Sequence, residues 1–126
     1  SSALLLLHAY QNPNQWELIP TTFDIEHIFP KKWQNTNYHG WTKEDAELYL
    51  DKFGNKTVLE KKLNIQAGNG YFGIKKNRYS ESNIATIKDL STYPSQDWVK
   101  EDIEKREIIF NEIIINYFRE NLVTSI

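Results

Sequence analysis

The chain has 126 residues, 40% hydrophobic and 25% charged, which supports a packed globular core but offers no apolar run long enough to span a membrane. It contains no cysteine, which excludes disulfides and thiolate-held zinc and agrees with a reducing cytoplasm. The formal net charge of -2 conceals a basic island: Lys56, Lys61, Lys62, Lys75, Lys76 and Arg78 stand against Glu60 alone, between two acidic flanks.

Ser1 to Tyr10 reads as the end of a helix with Leu4, Leu5 and Leu7 turned inward, broken by Asn12-Pro13-Asn14. His8, on this leucine-rich segment, reads as a structural histidine. Trp16 to Ile19 is predicted as a short strand or extended segment, interrupted by Pro20. Phe23 to Ile28 has the β-branched and aromatic character of a strand, and Pro30 closes it. Lys31 to Gly40 is a polar loop carrying Trp33, Tyr38 and His39. Trp33 and Trp41 are expected to cover the core, although loop aromatics also stack on nucleic-acid bases.

Thr42 is placed to cap a helix over Lys43 to Phe53, with Gly54 ending it. Lys56 to Leu59 reads as a very short strand and Glu60 to Ala67 as a short helix, stopped at Gly68-Asn69-Gly70. Tyr71 to Ser80 is predicted helical, and Ser82 is placed to cap a further helix through Leu90. Pro94-Ser95 opens a long helix, roughly Gln96 to Asn121, with a core stripe of Val99, Ile103, Phe110, Ile114 and Tyr117. The run Ile113-Ile114-Ile115 makes its second half apolar on more than one face, which predicts burial on two sides or a contact with another part of the protein.

Three places in this order carry chemistry. Glu26 and His27 sit side by side where a strand gives out; a carboxylate can hold a cation, and an imidazole can take a proton near neutral pH. Asn55 precedes the second short strand, and Asn64 lies on the helix after it. In a regular strand Glu26 and His27 point to opposite faces, so both reach one site only if the strand bends or bulges there, as Pro30 permits. Asp24 shares the face of Glu26 and competes with it as a metal ligand, as Asn69 competes with Asn64.

Asp24-Ile25-Glu26-His27-Ile28-Phe29-Pro30 resembles the D-x-D-H-I-x-P form of HNH (ββα-metal) nucleases, as in the HNH domain of CRISPR effector nucleases. Asn55-Lys56-Thr57-Val58-Leu59 followed by Asn64 matches the later half of that motif. Gly54-Asn55, Asn64 with Gly68-Asn69, Phe72, Lys75, Tyr79-Ser80, Trp98, Ile103 and Arg106 extend the resemblance over roughly residues 20 to 110. Together they are similar to the C-terminal HNH domain of GmrSD-type modification-dependent restriction enzymes. Paired CxxC zinc knuckles, common in HNH proteins, are absent, so the hydrophobic core must hold the fold.

The resemblance implies an α+β, mostly helical fold: a ββα-metal core with a short two-stranded hairpin, surrounded by helices and ending in a long C-terminal helix. It implies a metal-dependent DNA endonuclease with His27 as general base and Asn55 orienting the His27 loop. Glu26 and Asn64, or Asp24 in place of Glu26, would hold Mg²⁺, with Mn²⁺ or another divalent cation as substitutes. Lys75, Lys76 and Arg78 are expected to contact DNA phosphates. Residues 1–126 would form one HNH domain with its motif core at about 20–80. It would be the C-terminal fragment of a cytoplasmic enzyme whose ParB-like nucleotide-hydrolysing domain precedes it and which restricts modified phage DNA. The competing reading is a nucleic-acid-binding module without catalysis.

Overall fold

The computed structural model describes residues 2–36 and 39–124; Tyr38 of the polar loop lies outside the described residues. At the centre is a two-stranded antiparallel sheet of β1 (Phe23–His27) and β2 (Lys56–Glu60). The register runs without a bulge from Phe23 opposite Glu60 to His27 opposite Lys56. A backbone bond from Ile28 N to Asn55 O, 2.9 Å, carries the pairing one step beyond the ladder. Alternation in β2 is overridden: Thr57, Val58 and Leu59 are all buried, because the hairpin is covered on both faces.

Around the hairpin lie α1 (Ser2–Tyr10), α2 (Lys43–Tyr49), α3 (Lys61–Ala67), α4 (Phe72–Tyr79), α5 (Ala85–Ser91) and α6 (Lys100–Thr124). The architecture is therefore α+β and mostly helical, a short hairpin packed among helices with a long helix at the end. Ile28, Val58, Leu59, Ile84, Ile87, Trp98, Ile103 and Phe110 form the buried centre. Trp41 stacks on Phe29 at 3.8 Å between ring centroids, so it covers the core as expected. No helix among the described residues is long and apolar enough to cross a membrane.

Several boundaries differ from the sequence reading, each for a local reason. Trp16 to Ile19 forms no strand: Trp16 at 88% and Leu18 at 90% exposure lie in solvent, and Ile19, buried in the core, gives its N–H to the Tyr10 hydroxyl at 2.8 Å rather than to a neighbouring strand. Thr42 does cap α2, in a reciprocal box with Asp45. That helix stops at Tyr49, however, and Phe53–Asn55 winds into a 3-10 turn. Gly54 is thus no helix terminator. It is glycine because α6 passes so close that a Cβ there would sit 2.0 Å from the Ile103 carbonyl oxygen. Gly68, with a φ of +56°, does end α3, as its sequence position predicts.

Ser82 does not cap a helix directly. Its hydroxyl donates to Glu60 Oε1 and accepts from Ile84 N, tying the α4–α5 turn to the end of β2. The long helix begins only at Lys100, where the Asp102 carboxylate takes the Val99 N–H at 2.9 Å. Residues 96–99 stay outside the helix, with Trp98 buried in the core and its Nε1 donating to Asn55 Oδ1 at 3.2 Å. Along α6, Ile103 and Phe110 are buried, whereas Ile108, Ile109, Ile115, Phe118 and Leu122 are exposed.

Candidate functional site

The end of β1 is built by four side chains that are themselves immobilised. Asn55, fully buried, accepts from Phe29 N at 2.8 Å and Trp98 Nε1 at 3.2 Å, and donates to Phe29 O at 3.1 Å and Leu50 O at 3.0 Å. Every polar position of its amide is spent on bracing the chain on either side of the site. Lys75, 1% exposed, reaches from α4 to donate to His27 O at 2.8 Å and Ile28 O at 3.4 Å, and lies 3.2 Å from Glu26 Oε2. Tyr79, one turn further along α4, donates to the same oxygen at 2.6 Å.

Glu26 is 3% exposed, as strand alternation requires for a residue pointing towards α4. Burial raises its carboxyl above the ordinary range, opposed by the Lys75 charge and by the hydrogen bonds from Tyr79 and Lys75. His27 points to the other face, where its Nε2 meets Asp51 Oδ1 at 3.0 Å. That hydrogen bond, reinforced by the charges of Lys56 and Lys31, holds the Asp51 carboxyl below the usual carboxylate range.

Where the strand gives out, Glu26, His27, Pro30, Lys31, Asn64 and Asn69 line an open, polar pocket of about 150 Å³. The two neighbours on opposite strand faces share it because it lies at the strand end. Asn64 reaches it from α3, with Nδ2 donating to Asp24 Oδ2 at 3.2 Å, so its amide oxygen is directed away from that carboxylate. Asn69 is engaged differently: its Oδ1 accepts from Lys32 N at 3.4 Å. Among the described residues, no three His, Cys, Asp or Glu side chains cluster as a metal cage. The donors present are carboxylate and amide oxygens, which suit a hard cation that keeps much of its water.

The family model for the C-terminal domain of GmrSD restriction endonucleases matches residues 3–112. The chain belongs to this family. No curated protein and no solved structure gives a match.

Within this GmrSD C-terminal domain the basic island divides in two. Lys75 and Lys76 were expected to face phosphates, and the fold turns both inward. The Lys76 ammonium donates to Tyr93 O and Ser95 O, each at 2.8 Å, and lies over the Phe72 ring. Their charge is consumed in tying loops to α4. Arg78 remains at the surface, paired with Glu81 at 3.3 Å. Lys31, Lys32, Lys61 and Lys62 are exposed as well, and Lys31 borders the pocket itself.

The other two histidines of the GmrSD domain lie apart from this pocket. His8 stacks on Phe110 at 4.7 Å, with burial, then the nearby Arg106, pushing its pKa down to about 4. His39 stands 4.0 Å from Asp97. Asp51 is the residue of the site that sequence reasoning missed, since residues 43–53 read there as one continuous helix. Its only signal is its place four residues before Asn55, in a segment that must turn to enter β2.

Proposed function

We propose that this GmrSD C-terminal domain is an HNH-type, metal-dependent endonuclease that hydrolyses DNA phosphodiester bonds. What supports the reading is the meeting of Glu26, His27 and Asn64, from a strand and a helix, at one polar pocket at the end of β1. His27 is the general base: its ring takes a proton from the attacking water as that oxygen bonds to phosphorus. The bond from phosphorus to the departing sugar oxygen breaks, and that oxygen takes its proton from solvent. Asn55 and Lys75 keep the backbone of residues 27–29 fixed, so that the imidazole is not reoriented during the reaction.

Glu26 and the Asn64 amide oxygen would hold the divalent cation, Mg²⁺ by the all-oxygen character of the donors. Bound there, the cation would supply positive charge against the negative charge that develops on the phosphate. Asp24 serves by fixing which end of the Asn64 amide faces the pocket. DNA phosphates are met by Lys31 beside the pocket and by Arg78 and the α3 lysines on the open surface. In the whole enzyme, acting in the cytoplasm, a ParB-like nucleotide-hydrolysing domain precedes this one, and the substrate is modified foreign DNA.

The test is a metal titration of cleavage rate. Asn64→Ala should raise the Mg²⁺ needed for half-maximal activity by about 10-fold or more, whereas Asn69→Ala should leave it near the wild-type value. If Asn69→Ala alone raises the requirement, the cation's amide ligand is Asn69, five residues after Asn64.

A further inference from the structure

Asp51 is in contact with the imidazole that the proposed chemistry uses, and the way its backbone is held sets it apart from an ordinary surface acid. Its side chain is 82% exposed, while that of His27 is 17% exposed, and the two meet at 3.0 Å. Exposed ion pairs ordinarily orient little, because both partners are free to move. Here the carboxylate sits on a short turn between α2 and β2 that is fastened on both sides. Leu50 O is bound by the Asn55 side chain at 3.0 Å, and Lys52 O accepts from Asn55 N at 2.9 Å. Just beyond, Arg106 Nη1 donates to the carbonyls of Phe53, Gly54 and Lys56. The residue that braces the loop after His27 therefore also fixes the turn that carries Asp51.

We propose that Asp51 is the positioning residue for His27, holding its ring through Nε2 so that Nδ1 keeps the lone pair used as the base. The inference rests on the reading of His27 as general base. The chemistry follows from the tautomers of imidazole: a carboxylate accepts only from a protonated nitrogen. With Nε2–H given to Asp51, the neutral ring carries its lone pair at Nδ1. Once Nδ1 has taken the proton from water, Asp51 faces an imidazolium and stabilises it, and no proton need pass to the carboxylate.

The experiment uses the full chain and three variants, Asp51→Ala, Asp51→Asn and Asp51→Glu, alongside His27→Ala. Steady-state cleavage of a DNA substrate gives kcat and KM separately, and ¹⁵N NMR of the metal-free protein at a pH where His27 is neutral reports which ring nitrogen carries its proton. The wild-type ring should be protonated at Nε2 almost exclusively. Asp51→Ala should release it to a mixture of tautomers and lower kcat about 10- to 100-fold with little change in KM. Asp51→Asn, whose amide can donate to Nε2, should move part of the population to the Nδ1–H form and also lose kcat. Asp51→Glu should recover part of both readouts.

A wild-type tautomer in Asp51→Ala together with wild-type kcat would overturn the proposal, leaving an exposed contact of no consequence. A loss confined to KM would overturn it too, since that places Asp51 in substrate binding. These outcomes are distinct from failure of the nuclease reading, in which His27→Ala itself would cut as fast as wild type.

Discussion

Replacing Lys75 by Met separates a buried brace from a DNA contact. Methionine is close in length to the lysine stem, so the variant removes the ammonium while largely filling its space. The Nζ now lies 3.2 Å from Glu26 Oε2, 2.8 Å from His27 O and 3.4 Å from Ile28 O, at a residue only 1% exposed. Its loss strands a 3%-exposed carboxylate with Tyr79 as its remaining hydrogen-bond donor. Removing one member of a buried ion pair costs about 3–5 kcal/mol. Most of this belongs to the orphaned partner, so Glu26→Gln in the same chain should return more than half of it. Urea unfolding of the two single variants and the double variant, extrapolated linearly to water, reads the three values. A cost for Lys75→Met below about 1 kcal/mol, as surface pairs show, with weakened DNA binding, would refute the brace and return Lys75 to the phosphate surface.

Gly54→Ala should destabilise the protein by at least about 1–3 kcal/mol, because its Cβ would meet backbone of α6 at Ile103 and Glu107 rather than a yielding side chain; an unchanged melting temperature would contradict the close approach. His8 gives a pH signature. Its folded pKa of about 4 lies below the ordinary 6.5, so between these values the unfolded chain binds more protons. The contribution of neutral His8 is complete above pH 6.5 and is lost as pH falls towards 4, amounting to up to about 3 kcal/mol. His8→Phe keeps the stack on Phe110 and should flatten that part of the stability curve; parallel curves for variant and wild type would show that His8 is not the group responsible.

Local signals in the chain carried the hairpin and most of the helices. The β-branched residues of Ile25 and Val58, the stop at Gly68-Asn69-Gly70 and the wide apolar spacing of Ile103 and Phe110 all act over a few residues. What failed needed knowledge of distant neighbours. Lys75 and Lys76 look like a solvated basic face until α4 is packed against the end of β1 and the loop at Tyr93, which turns both stems inward. Gly54 sits where a helix-ending glycine would stand, and only the passage of α6 over it shows why no side chain fits. Asp51 carries no local mark beyond its place four residues before Asn55, because its meaning depends on where α2 stops. Asn64 meets Asp24 across 40 residues of chain because α3 follows β2 directly and β2 pairs along β1, so the local strand-to-helix step after Asn55 is carried to the first strand by the sheet.

The most direct test of the account is cleavage of supercoiled plasmid DNA by the wild-type chain and His27→Ala, each with Mg²⁺ and with EDTA. Cutting by wild type should require Mg²⁺ and fall about 10²- to 10⁴-fold in His27→Ala, with DNA affinity and the unfolding transition close to wild type. Cutting that persists undiminished in His27→Ala, or in EDTA, would contradict it.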